Sequence, residues 1–163
     1  LFFNSDAELG VSINGVSIND QMPIFAFNRL VDVYGSLGGK KIVFMGVSYR
    51  GDVGDTRFTP VQPLFNMIKN EKAITFVHDP FVSYWEEENL TVESDLQKLL
   101  NLNPDIIIIS TGHSLYKKND TINSIKKLNP LFIFDTIGLL NKEQILSLKE
   151  FHKISVLGRG DLI

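Results

Sequence analysis

Four consecutive isoleucines, Ile106–Ile109, constrain the fold of this chain more than any other feature. β-Branched side chains lose rotamer freedom in a helix and pack well on a pleated surface, so the run reads as a strand. Successive strand side chains point to opposite faces. A strand that is apolar at every position must therefore be covered on both, as in the middle of a parallel sheet. Asn103-Pro104 before the run and Ser110-Thr-Gly112 after it supply the breaks, which sets the expected strand at Asp105 to Ser110.

The flanking pattern agrees with a parallel sheet. Lys41 to Val47, Ala73 to His78, Leu131 to Asp135 and Lys153 to Leu157 read as further strands. Helical segments separate them. Thr59 is placed as the cap of a helix with Pro60 in its first position, running to about Asn70. Ser94 is placed as the cap of a short helix through Leu102, and others cover Asp120 to Leu128 and Lys142 to Phe151. Residues 81–93 are acidic and read as irregular, with room for a short helix. Ahead of the first strand, Ile24, Phe27, Leu30, Val31 and Tyr34 recur at helical spacing, with Asn19 and Asp20 as caps and Pro23 in the first turn. Alternating strands and helices build βαβ units. The expected class is α/β: a doubly wound, mostly parallel Rossmann-like sheet of about five strands, preceded by a long N-terminal helix. The expected organisation is an irregular lead-in over 1–18, a connecting helix over 19–38 and the sheet domain over 39–163.

Composition narrows the chemistry. The chain has 163 residues, 44% of them hydrophobic and 21% charged, with a net charge of −3. That balance suits a folded domain and gives no footprint for nucleic acid, so any polyanion site must be built from a few local cations. With no cysteine there is no disulfide framework, no thiolate zinc site and no cysteine nucleophile in this segment. No apolar run approaches the roughly 20 residues that span a bilayer, and no secretory leader is evident, so no membrane partner is expected and the cytoplasm is the expected location. The chain begins at Leu1, and the expectation is a piece of a longer protein.

The loop after the first strand carries the functional signal: Gly46-Val-Ser-Tyr-Arg-Gly-Asp-Val-Gly-Asp-Thr-Arg-Phe-Thr-Pro60. It is not a GxGxxG turn. It is not a Walker A loop either, because Asp52 and Val53 stand where Lys and Ser/Thr belong. It nevertheless has the parts of an anion site. Gly46, Gly51 and Gly54 permit tight turns and close approach of backbone to a ligand. The following helix directs free N–H groups towards the loop. Arg50 and Arg57 are two of the chain's four arginines, and each guanidinium can grip phosphate through paired hydrogen bonds. Asp52 and Asp55 would pin the arginines or the loop backbone. An ordinary salt-bridged loop accounts for the same residues.

This segment resembles the opening of the C-terminal domain of UDP-glucose/GDP-mannose dehydrogenases, whose usual form is G-[LF]-[AS]-[FY]-K-x-x-x-x-D-x-R-E-S-P. The likeness continues in order along the chain. Ile18-Asn-Asp-Gln-Met-Pro23 resembles the family's lead-in helix, Gly39 to Gly46 its first strand and Val77-His-Asp-Pro80 its "YDP" strand end. Ser110-Thr-Gly-His-Ser-Leu-Tyr116 resembles "TDHxEF", Phe134-Asp135 the "DGR" strand end, and Ile154 to Gly160 the terminal "Y.GIGR". The resemblance implies a nucleotide-sugar-binding domain of an NAD-dependent dehydrogenase that oxidises a sugar C6 alcohol to a carboxylate. NAD and the cysteine nucleophile would be held by N-terminal and central domains of the same protein, the whole enzyme acting as a homodimer. It further implies that Tyr49 and Arg50 contact the nucleotide sugar and that Arg57 reaches the NAD phosphates, with Asp55, Thr59, Asp79 and Asp135 in support. No catalytic residue and no metal ligand is expected here. Arg50 replaces the family's lysine, Phe58-Thr59 replaces Glu-Ser, and Ile137 stands where the "DGR" arginine belongs. That last departure leaves open a domain retained for structure or dimerisation.

Other residues support several readings. His113 sits at the ligand edge and suits either the sugar nucleotide or loop capping. His78-Asp79 lacks the further ligands a metal needs. Tyr84 and Trp85 suit base stacking or anchorage of a surface element. Glu86-Glu87-Glu88 reads as a solvated face. The helix carrying Phe25 and Phe27 suits a dimer contact or packing on its own sheet. The Asn89 and Asn119 sequons and the Arg159-Gly-Asp161 tripeptide read as chance matches.

Overall fold

The isoleucine strand does lie at the centre of a parallel sheet. The computed structural model describes residues 10–159, with side chains described from Gln21 onward. A helix, α1 (Gly10–Tyr34), leads into β1 (Lys41–Met45), α2 (Val61–Asn70) and β2 (Ile74–His78). Two short strands follow, β3 (Tyr84–Trp85) and β4 (Leu90–Thr91), joined by a 3₁₀ turn at Glu86–Glu88. Then come α3 (Leu96–Leu100), β5 (Ile106–Ile109), a 3₁₀ turn at Ser114–Lys117, α4 (Asn119–Lys126), β6 (Phe132–Asp135), α5 (Lys142–Lys149) and β7 (Lys153–Val156). The five-stranded sheet has the order β2-β1-β5-β6-β7, every pairing parallel.

The isoleucines show why the sheet needs two covers. Ile106 and Ile108 join a core with Leu30 of α1, Phe44 of β1, Phe65 of α2 and Phe134 of β6. Ile107 and Ile109 join a separate core with Met45, Ile122 and Ile125 of α4, and Leu148 of α5. All four are at most 1% exposed. Each contributes roughly 1.5–3 kcal/mol of burial, so the strand anchors both layers.

Three local expectations are corrected. The helix ahead of the sheet starts at Gly10 rather than Asn19, and Pro23 lies in its interior, not its first turn. Asn and Asp favour caps by only about 1 kcal/mol, a preference that tertiary context overrides. Within the anticipated lead-in, residues 1–9 fall outside the described residues. Residues 81–93 contain the β3–β4 hairpin around the short 3₁₀ turn: Trp85 is buried and packs on Phe65 of α2 at 5.3 Å, and the Glu93 amide donates to the Val77 carbonyl of β2. The cap of α3 is Asp95, whose side chain accepts from the amides of Gln97 and Lys98, rather than Ser94. Among the described residues no helix is long and apolar enough to cross a membrane.

Candidate functional site

Strand order decides where a ligand can enter. The chain runs from β1 outward to β2, then returns across β1 to β5 and continues to β6 and β7. The reversal between β1 and β5 opens a crevice beyond their carboxyl ends. A cleft of about 760 Å³ lies there, within the usual range for small-molecule sites. Its walls include Tyr49 and Phe58 of the loop after β1, Gln62 of α2, Ser110 after β5 and Ile137 after β6, with Met22 of α1 across from them. Among the described residues no charged side chain lines it.

The loop that frames the cleft is held from beneath by Asp79, at the carboxyl end of β2. Its Oδ2 accepts from Val47 N (3.0 Å), Ser48 N (3.2 Å), Ser48 Oγ (2.9 Å) and His113 Nε2 (3.0 Å), and Oδ1 accepts from Phe81 N (2.9 Å). Burial opposes ionisation of Asp79, but hydrogen bonds from His113 and the Val47 and Phe81 amides outweigh it and lower its pKa to about 2. His113 is completely buried. Asp52 N donates to its Nδ1 at 2.9 Å, so Nδ1 is unprotonated and the ring proton sits on Nε2, facing Asp79. Asp52 in turn accepts from the Ser114 amide at 2.9 Å and from the Ser114 hydroxyl.

His113 is thus a loop cap. Both ring nitrogens are committed to protein partners and no edge of the ring is exposed, which is the loop-capping one of its two expected roles. His78 is equally internal: its Nε2 donates to the Ser94 carbonyl (3.1 Å), its Nδ1 meets the Tyr116 hydroxyl (2.8 Å), and burial lowers its pKa. Among the described residues no group of three or more potential ligands could hold a metal.

Two of the loop's glycines are required by the fold itself. A Cβ on Gly46 would fall on the Thr111 side chain, and one on Gly51 on the Gly112 carbonyl. The loop after β1 lies directly on the loop after β5, and only hydrogen fits between them.

The remaining sequence-picked residues divide into two groups. Tyr49 is 61% exposed on the cleft wall. Arg50 is exposed and makes no hydrogen bond or ion pair with any described residue. Arg57 is exposed and gripped by Asp55, with Nε to Oδ1 at 2.9 Å and the NH2 nitrogen to Oδ2 at 2.8 Å. The side-chain hydrogen bond from Arg57 lowers the Asp55 pKa to about 2. Thr59 is buried but is not the cap expected of it: α2 starts at Val61, Pro60 holds the cap position without a side-chain cap bond, and Thr59 Oγ1 accepts from Val61 N at 3.3 Å from one residue further out. Asp135 is buried and accepts from Ile137 N (3.2 Å) and Leu140 N (2.9 Å), shaping the turn that presents Ile137. Sequence reasoning missed Phe58, which is 94% exposed with φ +57°, and Gln62. Their position beside the α2 N-terminus was the available signal.

A doubly wound parallel sheet with an open cleft at its switch point defines a Rossmann-like ligand-binding domain. Within that class the chain belongs to the UDP-glucose/GDP-mannose dehydrogenase family, as its UDP binding domain, whose model matches residues 43–142. It is 31% identical over 148 residues to the UDP-N-acetyl-D-mannosamine dehydrogenase of Methanococcus maripaludis, covering 88% of this chain and 33% of that protein. A shorter match, 37% over 68 residues, joins it to UDP-glucose 6-dehydrogenase 1 of Arabidopsis thaliana, covering 41% of this chain and 14% of that protein. Among solved structures, the NDP-N-acetyl-D-galactosaminuronic acid dehydrogenase of Methanosarcina mazei Go1 superposes with a TM-score of 0.75 at 23% identity, over 98% of this chain and 34% of that one. The UDP-D-ManNAc dehydrogenase of Pyrococcus horikoshii gives 0.72 at 24%, over 97% and 36%. At these identities the superpositions show the fold alone. The chain spans about a third of the length of the dehydrogenases it matches over most of its own length.

Proposed function

We propose that this domain holds the nucleotide part of a nucleotide sugar for an NAD-dependent 6-dehydrogenase whose chemistry lies in other domains of the same protein. The observation that carries the reading is the division of charge around the cleft. Its walls are neutral, suiting a base and ribose, while Arg50 stands outside on the same loop, suiting a diphosphate. The N-terminal amides of α2 add a positive end on the same side.

Tyr49 supplies a flat wall for the base and Arg50 a grip on phosphate. Arg57 turns its remaining N–H groups outward, where they fit a phosphate of NAD held mainly by another domain. NAD supplies the hydride acceptor when bound. This domain's contribution is orientation: binding energy spent on the nucleotide brings the sugar C6 to the reacting centre. The full enzyme would act as a cytoplasmic homodimer.

Calorimetric titration with UDP and GDP tests the reading. Binding of one of them, weakened roughly tenfold by Arg50→Ala, supports it. The fragment alone should yield no NADH from any nucleotide sugar, and detecting NADH would refute the division of labour.

A second reading rests on Ile137. It is 46% exposed on the cleft wall where the family's arginine stands, so no cation among the described residues lines the cleft. On that reading the domain serves structure or dimerisation, with Met22, Ile24 and Phe25 of α1 exposed for contact. Failure of both nucleotides to bind at millimolar concentration, with a dimer in sedimentation, would favour it.

A further inference from the structure

Phe58 stands in a conformation and an environment that both disfavour it. Its φ is +57°, in the left-handed region that a Cβ makes unfavourable. Among the described residues five other than glycine have positive φ; three are Asp or Asn, which tolerate that region, and Phe58 is the one aromatic. Its ring is 94% exposed and meets no other ring among the described residues. The next most exposed large apolar side chain among them, Tyr49 at 61%, lines the same cleft. Apolar area left in water forgoes the free energy that burial would supply.

The turn itself does not demand a phenylalanine. Arg57 is clasped by Asp55, whose Oδ1 also accepts from the Arg57 amide at 3.1 Å. Thr59 is buried, and its amide donates to the Thr56 carbonyl at 3.3 Å. The chain is thus held on both sides of position 58, and left-handed backbone there carries it towards α2. Glycine or asparagine would make the same turn with less strain and no exposed ring. Strain and exposure that nothing within the domain offsets point outward, to a ligand.

The cleft fits such a ligand. Its described lining carries no charge but includes these two exposed rings, both from the loop after β1. Tyr49 N donates to the Asp55 carbonyl at 2.7 Å, which closes the loop on itself and holds both ring-bearing positions on one frame. A flat heterocycle offers a π face to aromatic rings, whereas a phosphate does not. On the reading of this cleft as a nucleotide site, we propose that Phe58 is a base-stacking residue, its ring lying against the face of the nucleobase with Tyr49 as the second aromatic wall. Binding buries the ring that the free domain leaves in water.

The test uses the full-length protein and whichever of UDP and GDP binds the wild type more tightly. Calorimetry compares the wild type with Phe58→Asn, Phe58→Leu and Phe58→Trp, and thermal unfolding without nucleotide is recorded for each. Asn and Leu should weaken binding roughly tenfold, and Trp should keep it within about threefold of the wild type. Phe58→Asn should unfold at or above the wild-type temperature, because it relieves the backbone while losing the ligand contact; a purely structural ring would not separate the two. Unchanged affinity in Phe58→Asn, Leu binding as well as Phe, a Phe58→Asn unfolding temperature below the wild type, or a loss confined to the KM for NAD overturns the proposal and leaves the nucleotide reading standing. Absence of UDP and GDP binding to the wild type overturns both.

Discussion

Replacing Asp79 by Asn should be among the most damaging single changes to the site, and its effect should depend on pH in a defined way. The carboxylate is fully buried and accepts five hydrogen bonds, from Val47 N, Ser48 N, Ser48 Oγ, His113 Nε2 and Phe81 N. Its pKa is lowered from 3.8 to about 2. At about 1.4 kcal/mol for each pH unit, that lowering is worth about 2 kcal/mol of stability at neutral pH. Asn removes the charge and places an NH₂ group among these donors. One or more N–H groups then lose their acceptor, at about 1–3 kcal/mol each. The combined loss expected at pH 7, with one N–H orphaned, is about 3–5 kcal/mol, a large share of the 5–15 kcal/mol typical of a domain.

The sign of the pH dependence follows from the lowered pKa. The ionisation contribution is present above the unfolded-state value and disappears as pH falls towards about 2. Urea denaturation at pH 7 and again near pH 2 should therefore show the wild type and Asp79→Asn converging, the gap shrinking by about 2 kcal/mol. A loss under about 1 kcal/mol at pH 7, or a gap that does not change with pH, would refute the claim that an ionised Asp79 holds the loop.

Three further outcomes follow from the same geometry. Gly51→Ala should destabilise by about 1–3 kcal/mol and weaken UDP binding, because the added methyl meets the Gly112 carbonyl; denaturation alongside calorimetry checks both. Ile137→Arg should restore a cation to the cleft and tighten UDP roughly tenfold, with unchanged affinity counting against a phosphate position near that turn. Arg57→Ala should alter stability by less than about 1 kcal/mol, since the Asp55–Arg57 pair is exposed, yet raise the apparent KM for NAD in the full-length enzyme.

The layered sheet was legible because it is written in nearest-neighbour terms. Four β-branched residues in a row admit a central parallel strand and little else, and alternate isoleucines duly enter opposite cores. The order of motifs along the chain likewise carried the family. Helix starts were less legible: Asn19, Asp20 and Ser94 have the chemistry of caps, but whether a cap is used depends on packing beyond the local window. The hairpin at Tyr84–Thr91 escaped for the same reason, since contacts distant in sequence hold it, Trp85 on Phe65 and the Glu93 amide on the Val77 carbonyl.

At the site, the sequence by itself determined which residue types gather at the carboxyl edge of the sheet: glycines, arginines, paired carboxylates and a histidine. Only the tertiary structure assigned their work. It committed His113 to Asp79 and the Asp52 amide, and it used Gly46 and Gly51 for loop-on-loop contact. It brought Phe58, Gln62 and Ile137 together as cleft walls. Residue type and spacing are local properties, whereas burial and the identity of a hydrogen-bond partner depend on which segments the fold places side by side.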